Sequence, residues 1–268
     1  MCRITAYLGE SEIQLSSLVL EPEHSLLVQS YAPKEMMSGV VNADGFGTGW
    51  YAPEVDEEPA VYRSVAPIWA DSSFASISPK VRSSTVFAAV RSATPGLPVE
   101  ESGVPPFASG PYLFAHNGAI QGFRTTAMRP LRDSLSDASY SGLLGVTDSE
   151  TIFALLLDRL QEAKVSPGDS SALAEATAET ILYVSTVCTK LGVHAALNIG
   201  VTDGRAMVFA RYSTEGPGNS LYLVEGGEAF PNAVVAASER FDGDASWRQV
   251  PDRHLLVADA VGVASRPL

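Results

Sequence analysis

Hydrophobic and polar positions change their period twice along this 268-residue chain. Short apolar runs at residues 4–8, 47–51, 60–62, 86–90 and 112–115 are separated by glycine and proline, so each predicts a strand. One helix is predicted to interrupt them near residues 16–30. After Gly145 the spacing becomes helical. Thr147-Asp148-Ser149-Glu150 has the Ser/Thr-x-x-Glu form of a capping box, and Ile152, Phe153, Leu156, Leu157 and Leu160 then share one face, which predicts a helix over 149–163. Pro167-Gly168 breaks it. Leu173, Thr177, Ile181, Val184, Cys188 and Leu191 recur every three or four residues until Gly192, a suitable C-terminal cap, so a second helix follows with Cys188 in a core.

The strand pattern then returns. Residues 194–200 and 205–211 flank Thr202-Asp203-Gly204, and residues 221–225 and 233–238 flank Gly226-Gly227, both hairpin signals. A last strand or two falls within 247–258. Residues 53–59 and 213–220 read as surface loops, too short for domain linkers. Strands, a helix pair and more strands, with few helical crossovers, argue for antiparallel α+β layers rather than a doubly wound parallel sheet. No fixed-period repeat interrupts this order, which reads as one domain over residues 1–268.

A hydrophobic content of 46% is enough for a sizeable core. The balance of 18 Lys+Arg against 31 Asp+Glu, net −13, repels phosphate backbones and anionic lipids, so no nucleic acid is expected as a partner. No apolar run approaches the ~18 residues of a membrane span and no signal-peptide pattern opens the chain, so no membrane association and a cytoplasmic location are expected. The histidines His24, His116, His194 and His254 are scattered, the two cysteines form no CxxC pair, and no metal is expected. The stretch from Gly45 to Trp50 misses the third glycine of GxGxxG, and no phosphate-binding loop occurs, so no cofactor is expected either.

Against that background four groups could carry chemistry. Cys2 follows Met1; if Met1 is excised, one residue carries a thiol (pKa near ~8.5) and an α-amine (near ~8) that can serve as its base. Cys2 also suits burial in a first strand, or lipidation. Arg91, in Val90-Arg91-Ser92-Ala93-Thr94, offers a planar fork for a carboxylate, or is an ordinary surface arginine. Asn117-Gly118 could present a side-chain amide and a backbone N–H to an oxyanion, or form a hairpin turn. Asp148 could pair with a substrate ammonium, or complement the helix dipole.

Taken in order, Met1-Cys2-Arg3, Asn42-Ala43-Asp44-Gly45-Phe46-Gly47, Arg91-Ser92-Ala93-Thr94, His116-Asn117-Gly118 and Thr147-Asp148-Ser149-Glu150 resemble the class II glutamine amidotransferases, which are N-terminal-nucleophile hydrolases. The likeness runs on through Ala237-Ser238-Glu239 and Trp247-Arg248-Gln249-Val250-Pro251. It implies a four-layer α-β-β-α sandwich of two antiparallel sheets, Cys2 as nucleophile, Asn117 and Gly118 as oxyanion donors, Arg91 and Asp148 on the glutamyl α-carboxylate and α-ammonium, and Thr94 as a further contact. Ser92 and Pro95 stand where the aminosugar-synthase branch usually has Trp and His, and the chain has no room for a synthase domain. Residues 27–33 and 66–76 resemble the stand-alone amidohydrolase branch of ergothioneine biosynthesis, which implies a small-molecule γ-glutamyl substrate, γ-glutamyl-hercynylcysteine sulfoxide. A glutaminase that supplies ammonia, and a non-catalytic binder on the same scaffold, are the alternatives. The cationic, imidazole-bearing end of such a substrate suits aromatic neighbours, for which Phe46, Trp50, Trp69, Phe74 and Phe107 are candidates.

Overall fold

The computed structural model describes residues 2–36, 39–94 and 96–268; Met1 and Pro95 lie outside them. In chain order the elements are β1 (Arg3–Gln14), α1 (Leu15–Val19), α2 (Leu26–Tyr31), β2 (Phe46–Ala52), β3 (Asp56–Ser64), α3 (Ser72–Ile77), β4 (Arg82–Val90), β5 (Phe107–Ser109) and β6 (Tyr112–Ile120). Then follow α4 (Met128–Arg132), α5 (Asp137–Ser141), α6 (Asp148–Glu162), α7 (Ser170–Lys190), β7 (Ala195–Thr202), β8 (Met207–Arg211), β9 (Tyr222–Gly227), β10 (Phe230–Ala237), β11 (Arg248–Gln249), β12 (His254–Asp259) and β13 (Gly262–Pro267).

The strands form two sheets, β11-β9-β10-β1-β4-β2-β3 and β13-β12-β8-β7-β6-β5, with the strand pairings among the described residues antiparallel. Period-two alternation divides their side chains between layers. Ile4 and Ala6 of β1, Phe87 and Ala89 of β4, and Leu113 and Ala115 of β6 fill the space between the sheets. Their sequence neighbours point outward: Tyr7, Val86 and Val90 pack with α1–α3, while Phe114 packs with α6 and α7. Three apolar layers therefore separate four structural ones, the α-β-β-α sandwich. No helix among the described residues is long and apolar enough to cross a membrane.

The long helices follow the sequence pattern closely. Thr147 Oγ1 accepts the Glu150 N–H at 3.1 Å, but Glu150 turns away from the capping box to take the Leu144 and Gly145 N–H groups at 2.6 and 2.9 Å. Gly192, at φ +66°, follows α7 in the conformation that closes a helix end. Cys188 is fully buried, and burial, with Asp148 nearby, pushes its thiol up to about 11.

Four expectations need correction. The helix near 16–30 is two short helices, because Pro22 cannot continue a helical ladder and Ser25 caps a new start through the Val28 N–H. Asn117-Gly118 is no hairpin turn; it lies inside β6, paired with Asn198 and Leu197. Residues 56–59 belong to β3. The 213–220 segment is not wholly a surface loop: Ser213, Asn219 and Ser220 are buried, and Asn219 Nδ2 donates to the Asn117 carbonyl at 2.8 Å.

Candidate active site

Sheet register brings Cys2 to the end of the sandwich where β5 stops. Cys2 immediately precedes β1, whose Arg3 pairs with Val90 at the end of β4, so residues 91–94 emerge beside the cysteine. The half-buried Cys2 thiol lies 4.0 Å from the Ser92 carbonyl. The segment before β2 fixes that strand end: Arg91 N–H donates to the Gly45 carbonyl at 2.7 Å, and Ala93 N–H donates to Asp44 Oδ2 at 2.8 Å. Gly45 sits at φ +116°, and a Cβ there would press on the Ser64 carbonyl and Val104. The Asn42-to-Gly47 motif is thus a buttress for Arg91.

Across the gap lies β6. Leu197 N–H donates to the Tyr212 carbonyl, so the even positions of β7 serve β6, and the N–H groups of Gly118 and Ile120 point to the other edge of β6. β5 pairs only as far as Phe114, leaving that edge open beyond it. Asp148 Oδ2 takes the Ile120 N–H at 2.8 Å, and the Gly118 N–H faces the same gap. Gly118 cannot carry a side chain, since a Cβ would run into the Ala196 carbonyl and the His116 ring. His116 Nε2 lies 2.8 Å from that carbonyl, which can only accept, so Nε2 carries the proton; Nδ1 meets Ser149 Oγ at 3.1 Å. The histidine fastens β6 to α6.

Cys2, Arg91, Thr94, Gly118 and Asp148 line one pocket with Gly103, Pro105, Phe107 and His116. Its volume is about 30 Å³, and it adjoins a hollow of about 250 Å³ that shares Thr94, Leu97 and Asp148. Arg91 is 4% exposed and Asp148 7%, yet among the described residues neither forms an ion pair. Among the described residues the Arg91 side chain donates to carbonyls alone, Pro98 at 3.2 Å and Asp44 at 3.5 Å. Asp148 takes backbone N–H groups of Ile120 and Ser149. Two buried, unpaired and opposite charges are costly unless a ligand completes them.

Asn117 stands one residue behind the pocket wall. Its side chain points between the sheets, where Nδ2 donates to Ser238 Oγ at 3.3 Å. Of the aromatic candidates, Phe107 alone lines the pocket; Phe46 and Phe74 pack in the outer core, Trp50 packs at that core's margin, and Trp69 is 45% exposed with its ring edge-on to Tyr31. A larger hollow of about 520 Å³ lies behind Phe107 against α5 and α6 and does not include Cys2. Sequence reasoning gave no role to Asn219, Ser238 or Asp44, whose parts appear only when distant segments meet.

A four-layer sandwich with a cysteine at the head of its first central strand defines an N-terminal-nucleophile type of enzyme scaffold. A family model described as glutamine amidotransferases class-II matches residues 18–226, and the chain belongs to that family, enzymes of carbon–nitrogen amide bonds. It is 36% identical over 263 residues to a γ-glutamyl-hercynylcysteine sulfoxide hydrolase of Mycobacterium tuberculosis, covering 98% of this chain and 95% of the relative. It is 30% identical over 305 residues to a probable glutamine amidotransferase of Saccharomyces cerevisiae, covering 100% of this chain and 84% of that one. Among solved structures, a glutamine aminotransferase class-II domain protein from Silicibacter pomeroyi superposes with a TM-score of 0.69 at 23% identity, over 99% of both chains.

Proposed function

We propose that this chain cleaves the γ-glutamyl amide of γ-glutamyl-hercynylcysteine sulfoxide, releasing glutamate, and that residues 1–268 form one catalytic domain. The observation that carries the reading is the pair of unpaired buried charges, Arg91 and Asp148, in the pocket of the Cys2 thiol. A zwitterionic amino-acid head needs one cation and one anion at fixed places, and a planar guanidinium suits its carboxylate. The mycobacterial relatives, at 35–36% identity over nearly the whole chain, support the choice of amide.

With Met1 removed, the Cys2 α-amine takes the thiol proton and the thiolate attacks the γ-carbonyl carbon. The Gly118 N–H meets the resulting oxyanion, joined by Asn117 Nδ2 once it turns from Ser238. The C–N bond then breaks, the leaving amine takes the proton from the α-ammonium, and a glutamyl thioester remains. The α-amine next deprotonates a water, which displaces the thiolate and frees glutamate. Thr94, exposed on the rim, offers its hydroxyl to the bound head.

The test is release of free glutamate from equal concentrations of γ-glutamyl-hercynylcysteine sulfoxide and of glutamine, with wild type and Cys2→Ala in parallel. Cys2-dependent release that favours the first substrate is the expected result. Preference for glutamine would reassign the chain as an ammonia supplier, the reading favoured by its yeast relative. Release from neither would overturn both.

A further inference from the structure

Directly behind the proposed nucleophile lies a buried charge cluster that the reaction does not use. Arg3 Nε donates to Glu239 Oε1 at 2.8 Å, and His24 Nε2 meets Glu239 Oε2 at 2.7 Å, with the three residues 1%, 1% and 4% exposed. Arg3 Nη1 donates to the Cys2 carbonyl at 3.0 Å. The same Glu239 carboxylate takes the Lys34 N–H at 2.8 Å and the Glu35 N–H at 3.1 Å. Gln29 Nε2 closes the far side by donating to the Glu239 and His24 carbonyls.

Stability alone is a poor account of this cluster. Burying an arginine and a glutamate costs solvation that their attraction often fails to recover, and an apolar pair of equal volume usually serves as well. Arg3 Nη2 is buried with no hydrogen-bond partner among the described residues, an added cost. Burial holds the Arg3 guanidinium below the usual arginine range, against the pull of Glu239. Burial also pushes the Glu239 carboxyl up, but His24, the Lys34 N–H and Arg3 outweigh it and hold it below the usual range. The carboxylate is thus kept charged inside the protein.

The geometry points to a positioning role. Cys2 lies outside β1, whose ladder begins at Arg3, and a terminal residue frays unless something holds it. We infer that Arg3, Glu239 and His24 form a brace that holds the Cys2 main chain in line with the pocket and ties it to the 34–35 segment. Arg3 reaches back to its own neighbour's carbonyl, and Glu239, 236 positions away in sequence, fixes Arg3 from the end of β10. None of the three lines the pocket of Cys2. The inference rests on Cys2 being the nucleophile, and its test has a readout that does not depend on turnover.

Arg3→Lys keeps the charge but not the fork that spans Glu239 and the Cys2 carbonyl, and Glu239→Gln keeps the shape but not the charge. Both are compared with wild type after intact mass has verified Met1 removal. Hydrogen exchange of the peptide over residues 2–8, steady-state kinetics on γ-glutamyl-4-nitroanilide, and melting temperature are measured. The brace predicts faster exchange at that peptide, kcat at least tenfold lower, and KM within about threefold. His24→Gln, the mildest change and the one to rely on should the others fail to fold, is expected to show the same pattern at smaller amplitude. Unchanged exchange in folded variants overturns the brace, whether kcat is retained or falls; a fall in Glu239→Gln alone would mean that the cluster acts through its charge. Faster exchange in variants of a wild type that hydrolyses no γ-glutamyl amide would leave the brace standing and remove the assignment of Cys2.

Discussion

At Cys2 an exchange for alanine removes one sulfur atom from a half-buried side chain at a pocket wall, so little packing is lost. Cys2→Ala is expected to abolish glutamate release while shifting the melting temperature by no more than about 3 °C, the change that ~1 kcal/mol produces in a domain of this size. Residual turnover near wild type would remove the thioester route. Asn117 poses a sharper question, because its amide is engaged with Ser238 and not with the pocket. If it swings to the oxyanion, Asn117→Ala lowers kcat by about 10²-fold with little change in KM; if it only ties the sheets together, stability falls and kcat of the folded protein stays near normal. Cys2 stood out in the sequence by its position, and Arg91 and Asp148 as charged residues at a strand end and a helix start, and the fold brings all three to one pocket. Glu239 was not: its partners are 236 and 215 positions away, and no local pattern records a contact of that span.

Among the elements, β6 shows where pattern reading succeeds and where it fails. Residues 112–115 form a legible apolar run, but the strand continues through Asn117-Gly118, a pair whose intrinsic preference is for a turn. Pairing with β7 on one side and Asp148 at Ile120 on the other overrides that preference. Gly118→Ala tests the arrangement: its Cβ meets the Ala196 carbonyl and His116, so β6 must shift from β7. Overpacking of this kind costs about 1–3 kcal/mol, and kcat should fall with stability because the displaced N–H belongs to the pocket edge. A melting temperature equal to wild type would show that the strand has slack. The bounds of α6 were read to within a residue and the buried stripe of α7 was read from Leu173 onward, because helices of that length repeat their period several times. The 16–30 region repeats it too briefly to outvote Pro22.

Across the whole molecule, the pH dependence of stability follows from a few buried groups set against a diffuse negative charge. Burial pushes the Asp158 carboxyl up, but hydrogen bonds from Ser136 and Ser139 outweigh it and hold it below the ordinary aspartate value; Glu239 is likewise held low. A depressed carboxyl contributes stability that is present above its unfolded pKa, about 4–4.5, and is lost as pH falls through the folded value. Several buried or half-buried tyrosines and Cys188 act in the opposite sense. Burial raises the Tyr62 hydroxyl to about 12, aided by Asp71, and the Cys188 thiol to about 11. Their contribution is present below their unfolded values and is lost as pH rises through the folded ones. The net charge of −13 pulls against the acid limb, since protonation relieves self-repulsion, but exposed charges are screened beyond about 8 Å at physiological salt and buried ones are not. The urea midpoint should therefore hold a plateau from about pH 5 to about pH 8 and fall on both sides. Cys188→Val should extend the alkaline end of the plateau without touching the acid limb. A midpoint that rises steadily from pH 6 to pH 3.5 at 0.15 M salt would mean that relief of the diffuse charge outweighs the buried carboxylates, the brace behind Cys2 included.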